Sequence, residues 1–260
     1  MSKVIRGFVV CIALGIMVFA GYQLGNIVYD YANASEANDE LAAIAGSPEE
    51  PDETELVTPE AQNKLTNYAK KLFGKAAPSG IAVSGNQTSA SLAKAQKRKI
   101  NFKALKKKNK QIIAWISIPN MGIDYAVTKA SNNSYYLKNN ALKKKSSSGS
   151  IFMDSKARAD FEGMDSPIYG HHMRDKSMFG SLPNFRKASF RKKHQYIYVY
   201  TPNATKKYKV SSQFITNKKK LEPNTSGTKL LTLVTCEYTS KNAHYVVCAK
   251  LVSSKAPGAK

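Results

Sequence analysis

The stretch that decides the fold is Thr232–Val247, "TLVTCEYTSKNAHYVV". Residues rich in Thr, Leu, Val and Tyr stand on both sides of a short polar segment, which predicts a strand, a loop and a second strand. Cys236 ends the first strand, and His244 lies across the loop from it. A thiol at the point where a strand runs into a loop raises the question of whether it has a chemical role.

Six further segments resemble the two strands of this pattern and predict a mainly β domain. Together with the opening stretch they give eight short runs rich in Ile, Val, Tyr and Thr, separated by Gly, Pro, Asn and Ser clusters, at residues 112–119, 123–130, 149–155, 165–172, 195–201, 207–216, 230–236 and 244–252. Regular short strands with few helices between them predict a closed or nearly closed β-barrel. The main helical candidate inside it is the short turn "SMFGSLPNF" at 177–185.

The N-terminus has the pattern of an export signal. Lys3 and Arg6 precede an apolar run from Gly7 to about Tyr22 that continues weakly to Val28. A positive flank before an apolar run is typical of a cleaved signal peptide or of a retained signal anchor. Because the apolar character continues past the candidate cleavage site before Gly21, we favour a single membrane anchor over residues 1–30, with the rest of the chain outside the cell.

Residues 31–100 predict a connecting region with little globular structure. Nine acids and no Lys or Arg lie between residues 36 and 60, which is typical of a solvated tether. A helix is predicted from about Pro59 to Lys75, and a Gly/Ser/Ala-rich linker follows it. A basic helical segment then starts near Leu92, with Asn101 as a plausible cap. The predicted barrel spans 101–254, and 255–260 form a tail.

The remainder of the chain is strongly basic. Residues 61–260 hold 38 Lys and Arg against eight acids. Charge alone is compatible with nucleic acid, but an exported protein rarely meets it and no aromatic-basic binding motif is present, so we expect no nucleic-acid partner. A solvated surface and an attraction to an anionic envelope or membrane surface are both consistent with clusters such as Lys106–Lys108, Lys143–Lys145 and Lys218–Lys220.

The three cysteines do not predict a disulfide framework. Cys11 lies in the apolar N-terminal run. If Cys236 lies opposite His244, then Cys248 lies opposite Thr232, about 13 Å away along the strand. A disulfide needs Cα atoms within about 7 Å, so we expect Cys236 to be a free thiol and Cys248 to be a small core residue.

A free thiol at a strand end suggests nucleophilic catalysis, since a thiolate beside an imidazolium is reactive. His171 and His172 follow Gly170 at another junction between strand and loop. A Cys and a His that leave adjacent strands at the same end of a barrel can meet although 65 residues separate them. The alternative is that the cysteine is a core residue and the histidines are ordinary surface residues.

Several segments resemble one known family. "TLVTC" matches the T-L-x-T-C signature of sortases, the membrane-anchored cysteine transpeptidases of Gram-positive bacteria. "ALKKKNKQIIAWISIPNMGIDYAV", "NNSYYLKNN", "GSIFMDS", "IYGHHMRDKSMFGSL" and "TCEYTSKNAHYVVCAKL" resemble successive segments of class B sortases, in order, from about Phe102 to Val252. The resemblance implies an eight-stranded sortase barrel, in agreement with the strand count.

The resemblance also implies roles for individual residues. Cys236 would attack the Thr carbonyl of a sorting signal of LPxTG or NPxTN type, and His171 would protonate the departing amine; His172 stands where the family often has Asn. Backbone N–H groups around Thr235, Cys236 and Glu237 would hold the oxyanion. An amine of a cell-wall precursor or a pilin lysine would resolve the thioester, without metal or cofactor.

Two features depart from the class B pattern. The family usually has Arg on the last strand at the position of His244, and histidine offers a charge only when protonated, with an ordinary pKa of about 6.5. Arg174 is a nearby candidate for supplying the missing cation. The stretch "NKKKLEPNTSG" at 217–227 also replaces a longer family insertion, so the family's peptide preference does not carry over.

The sequence therefore predicts a sortase-type cysteine transpeptidase on the extracellular face of the cell membrane. The alternative is a weakened or inactive sortase-fold protein that binds sorting signals at the cell surface. A cationic wall-binding protein without an active site would explain the charge but would leave the ordered motifs unexplained.

Overall fold

The computed structural model describes residues 3–46, 87–217, 227–236 and 243–258. Its helices are α1 (Lys3–Ala45), α2 (Ser89–Lys97), α3 (Phe102–Lys108) and α4 (Ala188–Lys193). Its strands are β1 (Ile112–Ile118), β2 (Ile123–Thr128), β3 (Ile151–Met153), β4 (Asp165–Tyr169), β5 (Tyr196–Tyr200), β6 (Thr205–Thr216), β7 (Leu230–Cys236) and β8 (His244–Lys255). Two short 3₁₀ helices span Tyr135–Leu137 and Leu182–Arg186.

The eight strands form one closed barrel, as the sequence predicts. Their order around the barrel is β1-β2-β3-β4-β7-β8-β6-β5. The pairs β2/β3 and β4/β7 are parallel, while the other recorded neighbours are antiparallel, including the β5/β6 hairpin. Closure leaves no strand edge that must be protected from aggregation.

Apolar residues fill the barrel and also cover part of its outer surface. Ile116, Ile168 and Leu233 are fully buried in the interior core. Trp115 and Tyr200, which point outwards from β1 and β5, are buried under the helices in a second core. Burial on both faces explains why "IIAWISI" and "YIYVY" are almost continuously apolar instead of alternating with polar residues.

The end of α1 packs on this outer core, contrary to the prediction of a solvated tether. Residues 36–45 are helical, and buried alanines and a leucine recur at a spacing of three or four residues, at Ala34, Ala37, Leu41 and Ala45. This spacing places them on one side of a helix. The three acids of this helical part, Glu36, Asp39 and Glu40, lie on its other sides, and Glu40 pairs with Lys108 at 2.7 Å.

The two helices before the barrel have well-defined N-termini. Thr88 Oγ1 accepts a hydrogen bond from Ser91 N at 3.1 Å, so α2 begins at Ser89, slightly before the predicted start at Leu92. Asn101 Oδ1 accepts from Ala104 N at 3.0 Å, which confirms the predicted cap of α3. Side-chain acceptors of this kind satisfy backbone donors that have no partner within a helix.

The structure covers only part of the region for which the other N-terminal predictions were made. No helix in the described ranges is both long enough and apolar enough to cross a membrane. The anchor over residues 1–30 stays a prediction. The helix predicted at Pro59–Lys75 and the linker up to residue 86 lie outside the described residues. At the other terminus, β8 continues to Lys255, where the predicted tail begins.

Candidate active site

β7 carries the candidate nucleophile and lies between two strands that reach the same end of the barrel. It pairs in parallel with β4, with Tyr169 opposite Val234. It pairs antiparallel with β8, with Cys236 opposite His244. Cys236 is the last residue of β7, so the backbone at this position stands at the rim, with a different neighbour on each side.

The β4 side brings His171 to the level of Cys236. His171 is two residues beyond Tyr169, just as Cys236 is two residues beyond Val234. Gly170 N donates to Val234 O at 3.1 Å, which extends the ladder by one step past the end of β4. Since neighbouring strands lie about 4.8 Å apart, the register brings the Cys236 and His171 positions side by side at the rim.

A backbone carbonyl fixes one nitrogen of the His171 ring. His171 Nε2 lies 2.9 Å from Leu137 O. A carbonyl oxygen only accepts, so Nε2 carries the proton and Nδ1 is the nitrogen left for proton transfer. The main chain is also tied down, because Phe179 N donates to His171 O at 3.0 Å. The histidine is therefore oriented by the loops after β2 and β4.

The glycine before this histidine leaves no space for a side chain. A Cβ at Gly170 would lie 2.4 Å from Cδ1 of Ile151 and 2.8 Å from a ring carbon of Phe179. Both neighbours are buried in the interior core. Glycine therefore lets the chain pass tightly over the core directly before His171.

The β8 side places the other histidine opposite Cys236. His244 is half-buried and is paired with Cys236 on one side and Thr216 of β6 on the other. The sequence prediction that His244 lies across the hairpin from Cys236 is thus confirmed by the strand register. The position where the resemblance implies arginine is next to the candidate nucleophile.

The remaining predicted site residues are less directly placed. Glu237 lies outside the described residues. Arg174 is exposed, and among the described residues its guanidinium has no recorded hydrogen bond or ion pair. Thr235 is buried and its Oγ1 has no hydrogen-bond partner among the described residues. The roles predicted for these three residues stay predictions.

Thr235 belongs to the interior face of β7 and faces Tyr245 of β8. The two residues are register partners, and the buried Tyr245 hydroxyl also lacks a described hydrogen-bond partner. Burial raises the pKa of Tyr245 to about 12, so this hydroxyl stays neutral. Because side chains alternate along a strand, the Thr235 side chain points away from the face on which His244 lies, so we expect only the backbone of Thr235 to serve the site.

The cysteine of β8, Cys248, is a structural residue, as predicted. Cys248 lies opposite Thr232 and is a free, buried cysteine. It packs with Val234, Val246 and Tyr169 on the outer face of the barrel. Burial raises the pKa of its thiol, which makes Cys248 a poor nucleophile.

Some contributors to the site are not apparent from residue types. The Leu137 carbonyl is a main-chain group, although its segment "NNSYYLKNN" is one of those that resemble class B sortases. Arg186 lies with its Cζ 5.0 Å from the ring centre of Tyr245, which belongs to the interior face of β8, so this cation is on the opposite face of the strand from His244. In the described part of the chain, no group of three His, Cys, Asp or Glu side chains is arranged to hold a metal ion.

The sequence and the fold are similar to those of several known proteins. The chain is 37% identical over 86 residues to sortase B of Listeria monocytogenes, which covers 33% of this chain and 35% of that relative. It is 27% identical to the structure of Clostridium perfringens sortase B, with a TM-score of 0.54, covering 59% of this chain and all of that one. A Streptococcus pyogenes class B sortase involved in pilus biogenesis is 26% identical, with a TM-score of 0.53, covering 58% of this chain and 98% of that one.

The match to the curated relative spans only about a third of its length. The family model for the sortase domain, in contrast, matches residues 116–252, which contain all of the barrel strands except the first residues of β1 and the last of β8. Both His171 and Cys236 lie within that range. The chain therefore belongs to the sortase family and is class B-like.

Proposed function

We propose that this chain is a cysteine transpeptidase that cleaves a C-terminal sorting signal and transfers the acyl group to an amine. The observation that carries the proposal is the register at the rim, which brings the His171 and Cys236 positions side by side on two hydrogen-bonded strands. Sortases are cysteine transpeptidases, and membership of the family supports the same reaction class here.

The proposed reaction has two half-reactions. The Cys236 thiolate attacks the carbonyl carbon of the Thr residue in the sorting signal and forms a C–S bond. As the C–N bond breaks, the imidazolium of His171 gives its proton to the departing amine. The acceptor amine then attacks the thioester, and its proton returns to the imidazole. The new amide is released and the thiolate is regenerated, so no external oxidant or reductant is needed.

The proposal also names the two classes of substrate. We expect an LPxTG- or NPxTN-like sorting signal and an amine from a cell-wall precursor or a pilin. The Streptococcus pyogenes relative is involved in pilus biogenesis, which supports a pilin among the acceptors to be tested. Attachment to the cell membrane with the barrel on the extracellular face stays a prediction, based on Lys3 and Arg6 before the apolar run.

The second candidate function is a sortase-fold protein that binds sorting signals without turnover. The observation that favours it is His244 at the position beside Cys236 where arginine is expected. A neutral imidazole lacks the permanent charge and the forked donors of a guanidinium. Loss of one oxyanion donor lowers rates by roughly two to three orders of magnitude.

A covalent trapping experiment separates the two functions. The full chain is incubated with peptide vinyl sulfones that carry a panel of sorting signals, and the intact mass is measured. We expect a single adduct that Cys236→Ala abolishes and Cys248→Ala keeps, since Cys248 is a matched cysteine on the neighbouring strand with a raised thiol pKa. If fluorescence anisotropy shows that the peptides bind but no adduct forms, the transpeptidase proposal is wrong and the binding function is supported.

A further inference from the structure

Exposed lysines from two separate segments meet on one side of the molecule. One segment is α3 with the residues after it, and the other is the loop between the 3₁₀ helix Tyr135–Leu137 and β3. We call this surface the basic face; its members, all exposed, are Lys103, Lys106–Lys108, Lys110, Lys138 and Lys143–Lys145.

Buried hydrogen bonds hold the two segments together. Asn109, at the end of α3, is buried, and its Nδ2 donates to Ala141 O and to Tyr136 Oη, both at 2.8 Å. Within the loop, Asn140 Oδ1 accepts from Leu142 N and Lys144 N at 3.0 Å. The lysines therefore project from a fixed backbone, which keeps their charges close together.

The charge of the basic face is largely uncompensated. Among the described residues, Lys108 is the one member with a carboxylate partner, namely Glu40. Exposed like charges at this density repel one another and create a positive potential that attracts anions. A surface with this charge fits an extended anionic partner better than a single small ion.

An apolar segment leaves the barrel next to the basic face. Asn101 N, at the start of α3, donates to Ala45 O at the end of α1, whereas Lys108 at the end of α3 reaches Glu40. The two helices are thus antiparallel, and α1 continues past the lysine-rich end of α3 towards its own N-terminus. On that part of α1 the large apolar side chains from Ile12 to Tyr29 that the structure describes are about half or more exposed.

We propose that the basic face binds the surface of an anionic lipid bilayer. The lysines contact the phosphate headgroups, and the adjacent apolar side chains of α1 contact the lipid. The strength of such membrane binding grows with the apolar area buried in the lipid and with the electrostatic attraction to anionic headgroups, and the two surfaces together supply both contributions. A soluble polyanion would be attracted by the lysines but would give the exposed apolar side chains no partner.

This orientation would bring the candidate active site close to the bilayer surface. Leu137, whose carbonyl binds His171, directly precedes Lys138 of the basic face. The membrane contact is independent of the proposed transpeptidase activity, because neither Cys236 nor His171 takes part in it.

Vesicle co-sedimentation of the full chain tests the proposal. The partition coefficient is measured on phosphatidylcholine vesicles and on vesicles of equal parts phosphatidylcholine and phosphatidylglycerol. The test variant is K143Q/K144Q/K145Q, and K103Q/K107Q/K110Q removes the same charge from the α3 part of the basic face. The control is K187Q/K192Q/K193Q, which removes three exposed lysines at α4, outside the basic face.

We expect the wild type to prefer the anionic vesicles and to lose that preference in high salt. Each lysine near an anionic surface contributes about 1 kcal/mol, so either test variant lowers partition into anionic vesicles by roughly 100-fold, while partition into neutral vesicles stays constant. The control variant retains wild-type partition.

Three results would overturn the proposal. The first is no preference for anionic vesicles, and the second is an equal loss in the control variant, which would indicate a general charge effect. The third is binding to soluble polyphosphate that both test variants weaken, without any binding to vesicles. This result would assign the basic face to a soluble polyanion. Thermal unfolding of each variant shows whether its fold is intact, and the two test variants alter separate segments.

Discussion

The two strands beside Cys236 differ in how firmly they define the chemistry of the site. On the β4 side, close packing at Gly170 and two hydrogen bonds to His171 fix both the position and the orientation of an imidazole. On the β8 side, strand register fixes the position of His244, but the residue there is not the arginine that the family pattern predicts. Register thus determines where a side chain stands, whereas residue type determines what it can do.

The largest expected effect is on the β4 side. His171→Ala removes the residue that we propose as the proton donor for the departing amine, and loss of a general acid–base residue lowers rates by about 10²–10⁴. We expect kcat/KM for a sorting-signal peptide, measured by release of its C-terminal fragment, to fall by about 10³, with adduct formation at Cys236 slowed as well.

His172→Ala is the matched control for this change. His172 is adjacent in sequence and half-buried, but it forms a bridge with Met178 and we assign it no proton transfer. If both variants lost activity equally, the loss would reflect disruption of the loop and would contradict a specific role for His171.

The next effect is on the packing that supports His171. Gly170→Ala forces a methyl group into Ile151 and Phe179, and overpacking of this kind typically costs 1–3 kcal/mol. We expect the free energy of unfolding in urea to fall by about 2–3 kcal/mol. Gly163→Ala is the control, because its Cβ would meet Asp165 O at 3.4 Å and side-chain atoms of Arg158 only further away. Equal stability of the two variants would mean that the chain at Gly170 relaxes easily.

Much of this barrel is predictable because each strand carries a local signal. Short β-branched and aromatic runs between turn residues are enough to locate all eight strands, and the hairpin pattern alone places Cys236 opposite His244 and Cys248 opposite Thr232. The proximity of His171 to Cys236 depends on a parallel pairing between distant segments, which the sequence indicates only through its resemblance to sortases.

Other features had no clear signal or a misleading one. The helical end of α1 is hidden by its acids, because the contact with the barrel uses mainly alanines, whose spacing is less conspicuous than that of larger apolar residues. The Leu137 carbonyl that orients His171 is a backbone group and is independent of side-chain type. The close fit at Gly170 follows from the meeting of β3 and β4 with a distant loop.

A change of residue type alone, on the β8 side, is expected to alter activity least and bears most directly on the difference between the two strands. His244→Arg introduces a permanent charge and forked donors beside Cys236. Since one oxyanion donor contributes two to three orders of magnitude in rate, and a histidine at this position would supply only part of that contribution, we expect kcat to rise by about tenfold.

His244→Lys separates the effect of charge from the effect of donor geometry. An ammonium keeps the positive charge but lacks the paired, planar N–H donors of a guanidinium. If Lys raises kcat as much as Arg does, charge alone is needed at position 244. Unchanged rates in both variants would show that the register places this residue beside Cys236 without giving it a part in the reaction, and the oxyanion would then be held by other groups.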